Sequence, residues 1–338
     1  MLGALSHRLL SALQLTRMAL VFTAISNAQC TLLLRARQLA GEDGDIGPYL
    51  QPRLMIAMAL VSIGLYGLGM ALNDIIDRRR DAQLASHRPI PSGRIGLAAA
   101  HVICVALGLG ALLAGAYYAR AVGGAGWLSF LVLLLTGLLI VFYDYVGKYL
   151  VAPGLLALGL IRFFHAIIGA PHVPLLWHPL LLLNHVALVS AMCYRWEDKR
   201  PPLTRFHWWA VAGGLVMIDL AAVGVALWKG RSWTSPWGLW LRTDLLLPLA
   251  AALAYTLTVL WVRRTSPSMQ VAGQRSLLYG LLWLIVYDGM FAAGYVGLLP
   301  ATGLLLLLPV AALCVHTMRW WSAVVLAGNR PEYRRARS

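Results

Sequence analysis

Charged residues are scarce in this chain of 338 amino acids, since only 12% of the sequence is charged and 60% is hydrophobic. A water-soluble globular protein needs a more polar surface than this composition supplies, so that class is excluded. Acidic residues are rarer than basic ones, with 13 Asp and Glu against 28 Lys and Arg. The composition indicates a protein embedded in a lipid bilayer.

Cysteine is also rare. The four cysteines have neither the paired spacing of a zinc site nor the density of a disulfide scaffold, and all lie within or at the ends of apolar runs: Cys30, Cys104, Cys193 and Cys314. We interpret them as small buried residues. No low-complexity tract or long linker interrupts the apolar runs. The sequence therefore predicts one membrane domain over residues 1–338, with a helical core at about 9–325 and a basic tail at about 326–338.

Apolar runs long enough to cross a bilayer recur along the whole chain. At about twenty residues per crossing, they predict ten helices, near residues 9–34, 53–72, 95–119, 125–143, 150–170, 176–194, 206–228, 244–262, 276–297 and 300–325. The last two meet at Pro300, which could mark either a tight hairpin or a kink, so nine helices are the alternative. Either count predicts an all-α polytopic membrane bundle.

Most lysines and arginines lie in short loops on one side of this predicted bundle. Because cytoplasmic loops collect positive charge, we expect that side, which holds the loop after Asn73, and both termini to be cytoplasmic in a plasma or inner membrane. The net charge of +15 does not indicate nucleic acid as a partner, since the arginines stand between apolar runs rather than along a soluble face.

A row of polar residues ends the second apolar run. Asn73, Asp77 and Asp81 follow one another at i, i+4, and Asp74 stands three residues before Asp77, so a helix would carry their oxygens on one face. Such hard oxygen ligands suit Mg²⁺, which binds a few carboxylates and completes its shell with water or substrate phosphate. A basic, proline-containing loop follows at residues 87–94. The alternative is a charged helix end that contacts only water.

Two later turns carry charges on the same predicted side of the bundle. The second of them contains Arg195, Glu197, Asp198, Lys199 and Arg200. Glu197 could bind a second Mg²⁺ while one of the three cations holds phosphate oxygens. A charged loop with internal ion pairs is the alternative.

The first of these turns contains Asp144 and Lys148, and Arg162 lies in the apolar run that follows. Lys148 at a helix end either extends its charge to the membrane surface or binds an anion. Arg162 is more informative, because a cation inside a membrane needs an anionic partner or a wet cavity. Together the two would offer positive charge to a diphosphate.

These residues carry a resemblance to a known family. Asn73-Asp74-x-x-Asp77-x-x-x-Asp81, followed by Arg88-Pro89-Ile90-Pro91-Ser92-Gly93, resembles the first signature of the UbiA superfamily of intramembrane prenyltransferases. The stretch Tyr143-Asp144…Lys148…Gly159…Arg162 is similar to its EboC-like branch. The resemblance covers about residues 10–300 and implies a helical bundle around a central cavity, an isoprenyl diphosphate donor, and Mg²⁺ held by two acidic motifs. The chain departs from the family in its second motif, where adjacent Glu197 and Asp198 replace two aspartates separated by three residues.

The resemblance also implies roles for individual residues. The implied metal ligands are Asn73, Asp77 and Asp81, with Asp74 as a ligand or a neighbour of one, and Glu197 and Asp198 at the second motif. The implied catalytic residues are Asp77, Asp81, Lys148 and Arg162, and the implied diphosphate contacts are Arg88, Lys148 and Arg162. The further substrate-binding candidates are Tyr145, Arg195, Lys199 and Asn27. For Asn27, a hydrogen bond to a neighbouring helix is the alternative.

The predicted function is a Mg²⁺-dependent intramembrane prenyltransferase that transfers an isoprenyl group from a prenyl diphosphate to an apolar or aromatic acceptor. The first alternative is a non-catalytic relative that binds or transports a lipid or polar precursor, with Asp219 and Asp288 as polar elements of its path. The second, a CDP-alcohol phosphotransferase, is disfavoured because the Asp-Gly…Ala-Arg element expected before the aspartate row is absent.

Overall fold

A computed structural model describes residues 2–124, 126–231 and 242–328, without the side chains of 2–8, 322 and 325–328. The regular structure within these residues is helical, which confirms the predicted all-α bundle. The helices are α1 Leu2–Leu15, α2 Phe22–Ala40, α3 Pro52–Leu84, α4 Leu97–Val122, α5 Gly126–Tyr145, α6 Val151–Ile167, α7 Trp177–Trp196, α8 Arg205–Trp228, α9 Leu246–Thr265, α10 Met269–Tyr295, α11 Leu298–Leu305 and α12 Leu307–Gly328. From residue 329 onward the predicted basic tail lies outside the described residues.

The described helices account for the predicted membrane crossings. Within the described ranges, eight helical segments are long and apolar enough to span a bilayer. Two further segments follow the predicted order: α6, a shorter apolar helix of 17 residues, and α7, whose 20 residues include the polar His178, Asn184 and His185. The chain is a multi-pass membrane protein.

The predicted first helix, 9–34, is wrong as a single piece, because α1 ends at Leu15 and α2 begins at Phe22. Arg17 lies between them with φ of 46°, in the left-handed region that residues other than glycine rarely adopt. Its guanidinium contacts the carboxylate of Asp74 on α3 at 3.2 Å. The interruption therefore brings a cation of the amino-terminal segment to the aspartate row.

Two other predicted boundaries also differ from the structure. Helix α3 continues to Leu84, twelve residues beyond the predicted end at 72, so the whole aspartate row lies on one helix. The predicted last helix, 300–325, is divided at Leu306 into α11 and α12. Pro309 explains this division, since it has no N–H to donate to the carbonyl of Leu305 and its ring crowds that carbonyl.

Helices α3 and α4 pack closely because Gly64 has no side chain. A Cβ at Gly64 would lie 2.6 Å from the carbonyl oxygen of Leu107 and 2.7 Å from the Cβ of Ala111. Such close backbone approach through small residues is typical of helices in membranes. The contact fixes α3, which carries the aspartate row, against its neighbour.

The bundle has two ends, which we name by their residues. The motif face holds Asp77, Asp81 and Lys148, where α3 and α5 end and α4 and α6 begin. The distal face is the opposite end, where the carboxyl end of α2 meets the residues between α6 and α7 through a hydrogen bond from Arg35 to Gly169.

Candidate active site

The aspartate row is tied to helix α5 through Asn73. The side-chain amide of Asn73 donates a hydrogen bond of 3.0 Å to the buried carboxylate of Asp144. Asp144 lies in the last turn of α5 and Asn73 about three turns before the end of α3, so their contact joins the two helices near the motif face. Asn73 is thus hydrogen-bonded to an acidic residue of the predicted turn that also holds Lys148.

Asp77 forms an ion pair with Lys148, at 2.7 Å between Oδ1 and Nζ. Both side chains are mostly buried, with 15% and 10% of their surface exposed. Lys148 lies in the short turn between α5 and α6, which packs tightly on α6 because a Cβ at Gly154 would lie 2.3 Å from the carbonyl oxygen of Gly147. This turn presents Lys148 to the aspartate row, and its role in binding an anion stays a prediction.

Arg88 joins the other two aspartates of the row. Its Nη1 lies 2.6 Å from Asp81 and 3.5 Å from Asp74, and Arg17 contacts Asp74 from the other side. Arg94 holds the basic loop in place by donating to the Gln14 side chain at 2.6 Å. The basic loop therefore folds back over the end of α3, and each predicted carboxylate of the first motif has a cationic partner.

Arg162 lies deeper in the bundle and is almost fully buried, with 9% of its surface exposed. It donates hydrogen bonds to the hydroxyl of Thr23 at 3.2 Å and to the side-chain oxygen of Asn27 at 3.3 Å, and it stacks near the ring of Tyr66, 5.9 Å from its centre. The sequence predicted an anionic partner or a wet cavity for this cation. In the structure, its direct partners are the neutral oxygens of Thr23 and Asn27. A carboxylate lies on the other side of Asn27.

That carboxylate is Asp288 on α10, which is completely buried. The amide of Asn27 donates to Asp288 at 2.7 Å, so Asn27 connects it to Arg162, and His178 contacts its other oxygen at 2.7 Å. Cys30, His178 and Asp288 bring potential metal-ligand atoms within 4.8 Å of one another. However, 2.7 Å between Nε2 and Oδ1 is a hydrogen-bond distance that leaves no room for an ion between them.

The acidic turn after α7 is only partly engaged. Glu197 pairs with Lys199 at 3.1 Å, and its other oxygen is buried without a hydrogen-bond partner among the described residues. Asp198 is 77% exposed and lies 4.0 Å from Arg200. Glu197 is thus the only one of the two predicted second-motif ligands that has a buried, unpaired oxygen in the described structure.

Three other predicted site residues lie at the surface. Arg195 and Tyr145 are exposed, and Asp198 has a left-handed backbone with φ of 48° that turns it into solvent. Substrate binding by Arg195 and Tyr145 and metal binding by Asp198 stay predictions. Their helices end immediately before or after them, so no neighbouring element covers these side chains.

Sequence reasoning missed two residues of this site, Arg17 and His178. Arg17 interrupts an apolar run and could have been noticed as an unpaired cation near a membrane surface. His178 gave a weaker signal, since a single histidine in an apolar helix is more often a satisfied core residue. Its partner Asp288 is 110 residues away in the sequence.

The donor chemistry of the first motif fits Mg²⁺. The residues that would hold it are Asn73, Asp74, Asp77 and Asp81, whose side chains offer hard oxygens. The ion pairs of Asp77 with Lys148 and of Asp81 with Arg88 each engage one carboxylate oxygen. In this arrangement the two cations neutralise the carboxylates that would bind the metal.

Comparison with known proteins agrees with this fold. The model of the UbiA prenyltransferase family matches residues 45–184, the part of the chain that holds the first motif, Lys148 and Arg162, and ends before Glu197. A search of curated proteins finds no match. The EboC-like branch is not distinguished by these findings and stays a prediction.

Solved structures also resemble the chain. Digeranylgeranylglyceryl phosphate synthase matches with a TM-score of 0.56 and 14% identity, over 86% of this chain and 99% of that one. A UbiA homologue from Archaeoglobus fulgidus bound to GPP and Mg²⁺ matches with a TM-score of 0.42 and 14% identity, over 91% of this chain and 99% of that one. The fold is a polytopic helical membrane bundle. More specifically, it resembles the fold of digeranylgeranylglyceryl phosphate synthase, the match with a TM-score of 0.56.

Proposed function

We propose that this chain is a UbiA-family prenyltransferase that uses Mg²⁺, a prenyl diphosphate donor and an apolar or aromatic acceptor. The proposal is carried by the alternation of carboxylates and cations at the motif face, where Asp77 pairs with Lys148 and Asp81 with Arg88. Carboxylates bind Mg²⁺, and Lys and Arg bind phosphate oxygens. A single cluster thus carries ligands for both parts of a metal–diphosphate complex. The family match over residues 45–184 supports the same conclusion.

The proposed roles follow from where each side chain lies. Bound Mg²⁺ supplies Lewis-acid stabilisation of the diphosphate as it leaves. Lys148 and Arg88 bind oxygens of the diphosphate, which lowers the free energy of the negative charge that develops on it. Arg162 contributes a fixed positive charge deeper in the bundle. A bond then forms between an electron-rich atom of the acceptor and the allylic carbon that the diphosphate has left. The proton that the acceptor loses goes to the released diphosphate or to water, so no basic side chain is required.

This function can be tested with purified protein in lipid nanodiscs. Labelled prenyl diphosphates of several chain lengths are supplied with and without Mg²⁺, and bound label and released diphosphate are measured. We expect Mg²⁺-dependent release for at least one chain length, and the same rate for Asp43→Asn, a control that removes an exposed carboxylate of the distal face. Folded protein that neither binds nor releases any of these diphosphates would favour the non-catalytic lipid-binding alternative.

A second proposal is that Glu197 holds a further Mg²⁺ at the motif face. Glu197→Gln should weaken Mg²⁺-dependent diphosphate binding about tenfold, or about 1.4 kcal/mol, because it neutralises the carboxylate that has a buried, unpaired oxygen. Arg195→Ala, which alters an exposed side chain two residues away, should leave binding unchanged. Titration of Mg²⁺ at a fixed prenyl diphosphate concentration measures both. Unchanged binding in Glu197→Gln together with weaker binding in Arg195→Ala would mean that cations of this loop replace the second metal.

We also propose that the motif face is cytoplasmic. Single cysteines at the exposed positions His87 and Arg200 should react with a membrane-impermeant maleimide only from the cytoplasmic side, and a cysteine at Asp43 only from the other side. The proposal rests on the excess of Lys and Arg in the motif-face loops. Labelling of His87→Cys and Arg200→Cys from opposite sides would contradict this topology.

A further inference from the structure

A cavity of about 190 Å³ opens on the distal face, at the end of the bundle opposite the aspartate row. It lies where the carboxyl ends of α2 and α4 meet the beginning of α3. One part of its wall is apolar and is formed mainly by Leu32, Leu39, Leu54, Met55 and Val122. The other part is polar and includes Arg35, Gln51 and Tyr118. The cavity therefore has an apolar wall and a polar wall.

Arg35 supplies positive charge to this cavity. Its Nη1 donates hydrogen bonds to the hydroxyl of Tyr118 at 3.3 Å and to the carbonyl oxygen of Gly169 at 3.4 Å. Both acceptors are neutral, and among the described residues no carboxylate forms an ion pair with Arg35. A half-buried guanidinium without a counter-charge favours the binding of an anion. Phosphate and carboxylate groups fit it best, because two of their oxygens can accept hydrogen bonds from its planar edge.

Two neighbouring side chains reinforce this charge. Gln51 lines the cavity, and Arg53 donates to its side-chain oxygen at 3.1 and 3.2 Å. Arg53 therefore holds one end of the Gln51 amide and adds a second positive charge beside the cavity. Tyr118 is held in position by its own hydrogen bond of 2.5 Å to Gly169. The polar wall is thus preorganised by contacts within the protein.

We propose that the distal cavity binds an anionic membrane lipid. Its phosphate or carboxylate head would bind Arg35, and the first part of its acyl chain would lie along Leu32, Leu54 and Met55. The combination of one uncompensated cation with an apolar wall fits an amphiphile better than a small inorganic anion, which would gain nothing from the apolar surface. This site is separate from the motif face and does not depend on the proposed transferase activity.

The test measures lipid binding to the purified full chain in a neutral detergent by native mass spectrometry. The probes are phosphatidylglycerol, phosphatidylcholine and inorganic phosphate. We expect wild-type protein to prefer phosphatidylglycerol, and Arg35→Gln to bind it about tenfold more weakly. Ala121→Trp, which adds bulk at an exposed position of the cavity wall while Arg35 stays in place, should cause a similar loss. If Arg35→Gln does not fold, the affinity of Ala121→Trp for phosphatidylglycerol tests the proposal.

Lys229→Gln serves as the matched control, since it removes an exposed cation of the distal face outside the cavity. Its affinity for phosphatidylglycerol should equal that of the wild type. Wild-type affinity in both Arg35→Gln and Ala121→Trp would overturn the proposal. So would displacement of the lipid by equimolar inorganic phosphate, because that result would identify a site for free anions. Equal binding of the two phospholipids would likewise reject a role for the head-group charge.

Discussion

Asp77→Asn should lower prenyl transfer about 100- to 1,000-fold, the usual cost of removing one group that stabilises developing charge, while leaving folded protein at nearly the wild-type yield. The substitution keeps the size of the side chain and removes its negative charge. The amide oxygen that replaces the carboxylate can still accept a hydrogen bond from Lys148, which limits the loss of stability. Transfer by purified protein at saturating Mg²⁺, together with the midpoint of thermal unfolding, measures both expectations. Activity within threefold of the wild type would contradict the assignment.

The ion pair between Asp77 and Lys148 offers a control that separates structure from chemistry. In the exchanged variant, Asp77→Lys with Lys148→Asp, the pair can form in the opposite sense, so stability should be close to that of the wild type. Transfer should nevertheless stay as low as in Asp77→Asn, because the carboxylate has moved to the turn between α5 and α6. Recovery of transfer in the exchanged variant would mean that Asp77 serves only to hold Lys148.

Asp288→Ala should destabilise the fold by about 2 to 6 kcal/mol, because it leaves two buried groups without a hydrogen-bond partner at about 1 to 3 kcal/mol each. The buried amide of Asn27 and ring of His178 would each lose a contact of 2.7 Å. Arg162 would lose the carboxylate to which Asn27 connects it. Unfolding of the purified protein by heat or denaturant in one detergent measures the loss.

Asp219→Ala is the matched control, since Asp219 is also a carboxylate inside an apolar helix. It is only half-buried, and its side-chain contact is with Asn184, at 3.0 and 3.1 Å. We expect it to cost about 1 kcal/mol or less, as hydrogen bonds between membrane helices usually do. Equal losses for the two variants would contradict the view that Asp288 is the central residue of a buried network.

The order of the apolar crossings along the chain could be predicted because lipid requires each crossing to be a long apolar helix. The interruption at Arg17 could not, since neither glycine nor proline marks it locally and the contact of Arg17 is with Asp74, 57 residues away. The division at Leu306 could more readily have been predicted, because Pro309 interrupts helical hydrogen bonding there. The i, i+4 spacing of the aspartate row predicts helix beyond the apolar run that ends at residue 72, and α3 does continue to Leu84.

The first motif was the most predictable part of the site because all its residues lie on one helix at a regular spacing. The partners of its residues come from other segments, yet Lys148 and Arg88 could be anticipated from the family resemblance. The network around Asp288 joins α2, α7 and α10, and no local pattern indicates that these three helices meet. The second motif stays a prediction, with Glu197 better supported by its surroundings than Asp198.

The length of α3 determines how deep in the membrane the cluster lies. Its 33 residues extend for about 50 Å, whereas the hydrocarbon core of a bilayer is about 30 Å thick. Counted from Pro52, Asn73 lies about 32 Å along the helix axis. The apolar stretch thus measures one membrane thickness, and the carboxylates begin where the hydrocarbon ends. An amphiphile can therefore keep its charged head at the level of the lipid head groups while its hydrocarbon tail stays in the bilayer.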